Sequence, residues 1–139
     1  MKVVIDANVF VSAAIQKGAS HRIVMAWLEG AGDIDLVMCP ELIGEVRDVL
    51  ATRPRLRKWI GLDDAETYVE MIERTVDLVD DPGEVDATTR DADDDYLIAL
   101  ARLHGAELIV SGDKDLLEWT IQDPPVVTPG DFEELLDQR

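Results

Sequence analysis

Short runs of branched apolar residues alternate along the chain with longer stretches in which apolar positions return every three or four residues. Lys2-Val3-Val4-Ile5-Asp6 is a continuous β-branched run that stops at a carboxylate, the form of a strand buried on both faces. From Ser20, a good N-cap, Ile23, Val24, Trp27 and Leu28 recur at helical spacing until Gly30 and Gly32 end the helix. Leu36-Val37-Met38-Cys39 reads as a second buried strand. Pro40 then starts a helix with Leu42, Ile43, Val46, Val49 and Leu50 on its inner stripe, closed by Pro54. Asp63 and Glu66 have the spacing of a capping box ahead of Val69, Ile72 and Val76, and Leu78-Val79 fits either the end of that helix or a short strand.

Asp80-Asp81-Pro82-Gly83 is a turn by composition. Asp91 to Asp95 precede a helix whose inner face is Leu97, Ile98, Leu100, Ala101 and Leu103, with Gly105 at its end. Leu108-Ile109-Val110 is a third buried strand, from which Ser111-Gly112-Asp113 departs. Val126-Val127 is a short last strand, and Thr128-Pro129 caps a final helix carrying Phe132, Leu135 and Leu136. Strands alternating with helices predict an α/β fold with a mainly parallel sheet covered on both faces.

The 139 residues match the length prior for one domain, 1–139. With 47% hydrophobic and 31% charged residues, the composition excludes a disordered or fibrous chain. No run approaches the roughly 18 apolar residues of a membrane span and no signal peptide is visible, so the expectation is a cytoplasmic protein that does not enter membranes. A lone Cys39 has no partner for an internal disulfide and no neighbour at zinc-ligand spacing, and reads as a small core residue.

Charge changes the picture. Thirteen basic against thirty acidic residues give a net charge of −17, a field that repels polyanions. The charge is unevenly spread, however. Arg47, Arg53, Arg55, Arg57 and Lys58 form a basic segment, whereas Asp80, Asp81, Glu84, Asp86, Asp91, Asp93, Asp94 and Asp95 form an acidic one.

In an open parallel sheet, ligands bind beyond the carboxyl ends of the strands where the strand order reverses. Asp6 and Asp113 fall at such ends, and Glu45 and Asp94 lie on helices that could reach the same edge. Carboxylates about 4 Å apart repel by roughly 4 kcal/mol at an effective dielectric near 20, so four together require protons or cations. An all-oxygen donor set without His or Cys suits Mg²⁺ or Mn²⁺. Taken singly, each acid has an ordinary reading: Asp93, Asp94 and Asp95 as helix-capping charges, Glu45 as a solvated helix residue, Asp115 and Glu118 as surface charges. Asp6 alone resists one, because a carboxylate closing a fully apolar strand is poorly placed for an ion pair. His21 and His104 stay outside this proposed site.

These residues carry a resemblance. Val3-Val4-Ile5-Asp6-Ala7-Asn8-Val9-Phe10, Glu41-Leu42 through Glu45 to Leu50 with Arg53-Pro54, Arg90-Asp91 through Asp94 to Ala101, and Ile109 through Asp113 to Leu117 resemble, in order, the four motifs of PIN-domain nucleases of the VapC-like kind. Val127-Thr128-Pro129 with Phe132 resembles the closing segment. The resemblance implies a three-layer α/β/α fold and a divalent-metal-dependent endoribonuclease, the toxin of a toxin–antitoxin pair, with Asp6, Glu45, Asp94 and Asp113 as its acidic residues. It also implies an RNA substrate, a cognate antitoxin and a homodimer. Adjacent Asp93 and Asp95 leave the register at Asp94 open.

On that reading Asp6 and Asp94 are the foremost ligands of Mg²⁺ or Mn²⁺. Asp113 binds directly or through water, Glu45 orients the attacking water, and Asp115 is a weaker candidate ligand. Asn8 and Ser111 would hold carboxylates by hydrogen bonds, and Arg47, Arg53, Arg55 and Lys58 are candidates for contacting RNA phosphates. Two other classes compete. A haloacid-dehalogenase-like phosphatase also begins with an Asp after an apolar strand, but it needs a second acid where this chain has Asn8. A catalytically silent partner-binding module is the third class, and the filled acidic positions give it no support.

Overall fold

A computed structural model describes residues 1–89 and 91–138. Arg90, quoted above in the third motif, lies outside the described residues. Strand β1 (Lys2–Ile5) is the second of four parallel strands ordered β2-β1-β3-β4, with β2 at Asp35–Val37, β3 at Leu108–Val110 and β4 at Val126–Val127. Ile5 pairs with Val110 on one side and Val4 with Val37 on the other, and Val3, Val4 and Ile5 are wholly buried. The unbroken β-branched run is therefore explained by burial on both faces.

Seven helices surround the sheet in an α/β fold: α1 (Ala7–Ile15), α2 (Ala19–Leu28), α3 (Pro40–Thr52), α4 (Leu62–Thr75), α5 (Ala92–His104), α6 (Lys114–Leu117) and α7 (Pro129–Asp137). Helix α5 lies across β1, β2 and β3, while α1 packs on α2 and α3, α3 on α4, and α2 on α7. One hydrophobic cluster joins them, with Phe10, Ile23, Leu42, Leu50, Ile72, Ile98, Leu100 and Phe132 fully enclosed. Trp27 sits in this core, edge-on to Phe10 at 6.5 Å between ring centroids.

Several local expectations hold for the anticipated reasons. Pro40 occupies the first turn of α3, Gly105 ends α5 with φ of 69°, and the Thr128 hydroxyl caps α7 by accepting from the Asp131 amide at 3.1 Å. Others need correction. Helix α1 was not expected, because Val9, Phe10, Val11 and Ala13 are all buried and a run of consecutive buried residues blurs the apolar–polar period. Helix α2 starts from Gly18 rather than from Ser20. Met38 and Cys39 lie beyond β2, with Cys39 at the N-cap of α3 and its Sγ 2.7 Å from Tyr96 Oη. The Asp63–Glu66 capping box does not form, since Gly61 caps α4 and Glu66 turns instead to Arg47. Leu78-Val79 is not a strand; a single backbone bond, Val79 N–H to Met38 O at 2.9 Å, ties it down.

Candidate metal centre

Strand order reverses between β1 and β3, whose successors in sequence lie on opposite sides, and the carboxyl ends of these two strands carry the site. Asp6 follows β1 directly. Its amide continues the ladder to Val110 O at 2.9 Å, while its side chain caps α1 by accepting from the Asn8 amide at 3.2 Å. Ser111, fully buried after β3, donates from Oγ to Asp6 Oδ2 at 2.8 Å and accepts from the Asp113 amide at 3.0 Å. One hydroxyl thus ties the ends of both strands together.

The first turn of α5 supplies the other wall. Asp91 caps the helix by accepting from the Asp93 amide at 2.9 Å, and Asp94 follows three residues later on the same side. Asp91, Asp94 and Asp113 each offer an oxygen, and the three oxygens lie within 4.8 Å of one another. Asp6, Asn8, Glu45, Asp93 and Leu97 complete the lining of a cleft of about 80 Å³. Four separated segments therefore converge as anticipated, and Asp6, Glu45, Asp94 and Asp113 face one cleft.

Asp94 is 2% exposed, and its Oδ2 is buried without a hydrogen-bond partner among the described residues. Burial, proton sharing with Asp113, and the charges of Asp113, Asp91 and Asp6 push its carboxyl up to about 7. Burial also raises Asp6, against the opposing hydrogen bonds from Ser111 and Asn8, with Asp113 and Asp93 adding repulsion. Glu45 is raised by partial burial and by the charges of Asp93 and Asp6, while Arg53 pulls it down. Among the described residues the cleft lining carries six carboxylates and no cationic side chain.

The register of the acidic run resolves by geometry. Asp95 points elsewhere: its Oδ1 accepts from the Thr88 amide at 3.0 Å, the Thr89 amide at 2.6 Å and the Thr89 hydroxyl at 2.8 Å, and these bonds lower its pKa despite burial. Asp93 lines the cleft but is exposed. Asp115 does not line it; its backbone amide donates to Asp113 Oδ1 at 2.9 Å and its side chain borders a separate cavity with Glu118 and Trp119. Asn8 holds Asp6 through its backbone amide, which donates to Asp6 Oδ1 at 3.2 Å. Asp91 is the residue missed. Its place three positions before Asp94, on the same face of the helix start, was the available signal.

Of the basic candidates, Arg47 is already committed, bridging Glu66 at 3.1 Å and Glu73 between α3 and α4. Arg53, Arg55 and Lys58 are exposed, and Lys58 lies over the Trp59 ring at 5.9 Å. His21 bonds to Ala13 O and His104 to Asp80 O, so neither belongs to the cleft.

The donor set suits a hard divalent cation. The three clustered groups offer carboxylate oxygens, one oxygen of Asp94 is buried without a partner among the described residues, and a cation would offset the burial and repulsion that raise the Asp94 carboxyl.

Comparison with known proteins agrees with this geometry. Residues 2–115 match the sequence model of the PIN domain. An uncharacterized protein of Methanocaldococcus jannaschii, MJ1680, is 30% identical over 118 residues, covering 84% of this chain and 74% of that protein. The fold is similar to that in the crystal structure of VapBC2 from Rickettsia felis bound to a DNA fragment from its promoter, with a TM-score of 0.59 at 9% identity, over 92% of this chain and 97% of that one. With the match to the family model spanning most of the chain and the fold in agreement, this protein belongs to the PIN-domain family, a family of nucleases.

Proposed function

We propose that the protein is a divalent-cation-dependent endoribonuclease and the toxin of a toxin–antitoxin pair. The observation that carries the reading is the buried, unpartnered Asp94 oxygen set within 4.8 Å of oxygens from Asp91 and Asp113. Asp91, Asp94 and Asp113 would hold Mg²⁺ or Mn²⁺, with Asp6 beside them. When bound, the cation supplies charge neutralisation at a phosphodiester and lowers the cost of forming the nucleophile.

The chain's own groups do the rest. Ser111 and the Asn8 amide fix both oxygens of Asp6, so that the carboxylate cannot swing away from the cleft. Glu45, raised by its surroundings, is poised to accept a proton from an attacking water. Arg53, close enough to Glu45 to influence its ionisation, and Arg55 and Lys58 beyond it are available to RNA phosphates.

A homodimer is part of the same proposal, and the similarity to a VapBC assembly supports an antitoxin partner. So does an apolar surface: Trp59 and Leu62 are 60% and 55% exposed, near an apolar cavity lined by Val24, Met25, Ile60 and Tyr68. Among the described residues no helix is long and apolar enough to cross a membrane. The test is cleavage of single-stranded RNA by purified protein with Mg²⁺ or Mn²⁺, with chelator, and by Asp94→Asn. Cleavage by the wild type alone, stopped by chelator, supports the reading. Equal cleavage by Asp94→Asn overturns it, and absence of cleavage under every condition leaves the silent binding module in its place.

A further inference from the structure

Two cavities are larger than the acidic cleft, and their linings differ in charge. One, of about 490 Å³, is bordered by Thr88, Thr89, Asp115, Glu118 and Trp119 and so presents two carboxylates. The other, of about 350 Å³, is bordered by Asn8, Val9 and Ser12 of α1, Ser20 of α2, Asp113 and Pro129. It shares Asn8 and Asp113 with the cleft itself, and among the described residues Asp113 is the sole carboxylate in its lining. In a chain of net charge −17, a polyanionic strand leaving the cleft is repelled least along this second path.

The chemistry of the lining narrows what sits there. An anion wants donors and cations, whereas the Asn8 amide and the Ser12 and Ser20 hydroxyls each both donate and accept. That set complements neutral sugar hydroxyls and base edges, with Val9 and Pro129 giving apolar contact. The volume lies at the small end of the roughly 300–1,000 Å³ of small-molecule sites, which suits one nucleoside unit.

We propose that the cavity between α1 and α2 seats the nucleoside joined to the phosphate under attack, with Asn8, Ser12 and Ser20 hydrogen-bonding its sugar and base. The assignment rests on the nuclease reading for the phosphate's position and adds the specificity element that the acidic cleft lacks. A ribose 2′-hydroxyl both donates and accepts, so these side chains would also favour RNA over DNA.

The test is fluorescence anisotropy of a fluorescein-labelled, phosphorothioate-linked hexaribonucleotide and its deoxy counterpart, in Ca²⁺, with the full chain. Ser12→Leu, which fills the cavity, should weaken RNA binding at least tenfold. The double variant Ser12→Ala, Ser20→Ala removes only two hydroxyl oxygens and guards against a misfolded bulky variant. It should weaken RNA binding by about fivefold per lost hydrogen bond and narrow the RNA-over-DNA preference, with Mn²⁺ affinity unchanged. Wild-type affinity for both probes in both variants overturns the assignment, as does failure of the wild type to bind RNA. If the wild type cleaves RNA and the variants bind it normally, the cavity assignment falls and the nuclease reading stands. If binding depends on the cavity but no RNA is cut, the nuclease reading falls, and with it the link to a phosphate under attack, leaving a nucleoside-binding cavity without cleavage.

Discussion

Ser111 donates its hydroxyl proton to Asp6 Oδ2 at 2.8 Å across 105 positions of sequence, and Ser111 Oγ in turn accepts from the Asp113 amide at 3.0 Å. Being fully buried, it has no water to replace these partners. Ser111→Ala should therefore destabilise the fold by about 1–3 kcal/mol, the usual cost of leaving buried polar groups unmatched. Cation affinity should fall by roughly 10- to 100-fold, the range for lost supporting hydrogen bonds at metal sites. Thermal melts and Mn²⁺ titration of the variant check both, and a variant with wild-type melting and affinity would remove Ser111 from the account.

Asp94 sets a pH dependence in the chelator-treated protein. Its carboxyl is raised from 3.8 to about 7 in the fold, so between those values the unfolded chain has released a proton that the folded chain still holds. Stability from this group is fully present below pH about 4, declines as pH rises, and is lost above about 7. Asp94→Asn cannot ionise. Its melting temperature in EDTA should exceed that of the wild type by several degrees at pH 8, and the gap should close toward pH 4. Added Mg²⁺ should raise the melting temperature of the wild type only. Parallel melting curves for the two proteins across this range would contradict the electrostatic account.

Asp91 and Asp95 offer a contrast within one acidic run. Asp91→Asn keeps an N-cap oxygen for the Asp93 amide, because Asn caps about as well as Asp, but it removes a charge from the oxygen cluster. Cation affinity should fall about tenfold or more, with little change in melting. Asp95→Ala releases three hydrogen bonds to Thr88 and Thr89 and should lower stability by about 1–3 kcal/mol. The comparison fails if Asp91→Asn melts low and binds Mn²⁺ normally.

The basic residues divide in the same manner. Arg47→Ala breaks exposed ion pairs to Glu66 and Glu73, each of which contributes about 0–1 kcal/mol, and should leave the salt dependence of RNA cleavage unchanged. Arg53→Ala and Arg55→Ala should each flatten the plot of log kcat/KM against log salt by about 0.7, the increment for one single-strand phosphate contact. Equal slopes in all three variants would place the RNA elsewhere.

Much of this fold was legible because burial on both faces forces β-branched runs, and β1 and β3 were readable from them alone. Helix α1 was hidden by a related cause, since the run of consecutive buried residues Val9, Phe10 and Val11 blurs the period by which an amphipathic helix is recognised. At the site, Asp6, Glu45, Asp94 and Asp113 were legible as acids at the ends and entrances of predicted elements. Asp91 was not, because its role as helix cap masked its part in the oxygen cluster. The ion pairs of Arg47 were not legible because a string of letters does not show that α4 brings Glu66 and Glu73 against it. Partners supplied by distant segments are what one-dimensional patterns omit.

The central claim is that the carboxylates of Asp91, Asp94 and Asp113 act together as a cation site. Calorimetric titration of chelator-treated protein with Mn²⁺ tests it most directly, run side by side on the wild type, Asp94→Asn and Asp95→Asn. The account predicts saturable binding in the wild type and in Asp95→Asn, and its loss in Asp94→Asn. No uptake by the wild type, or equal uptake by all three proteins, would contradict it.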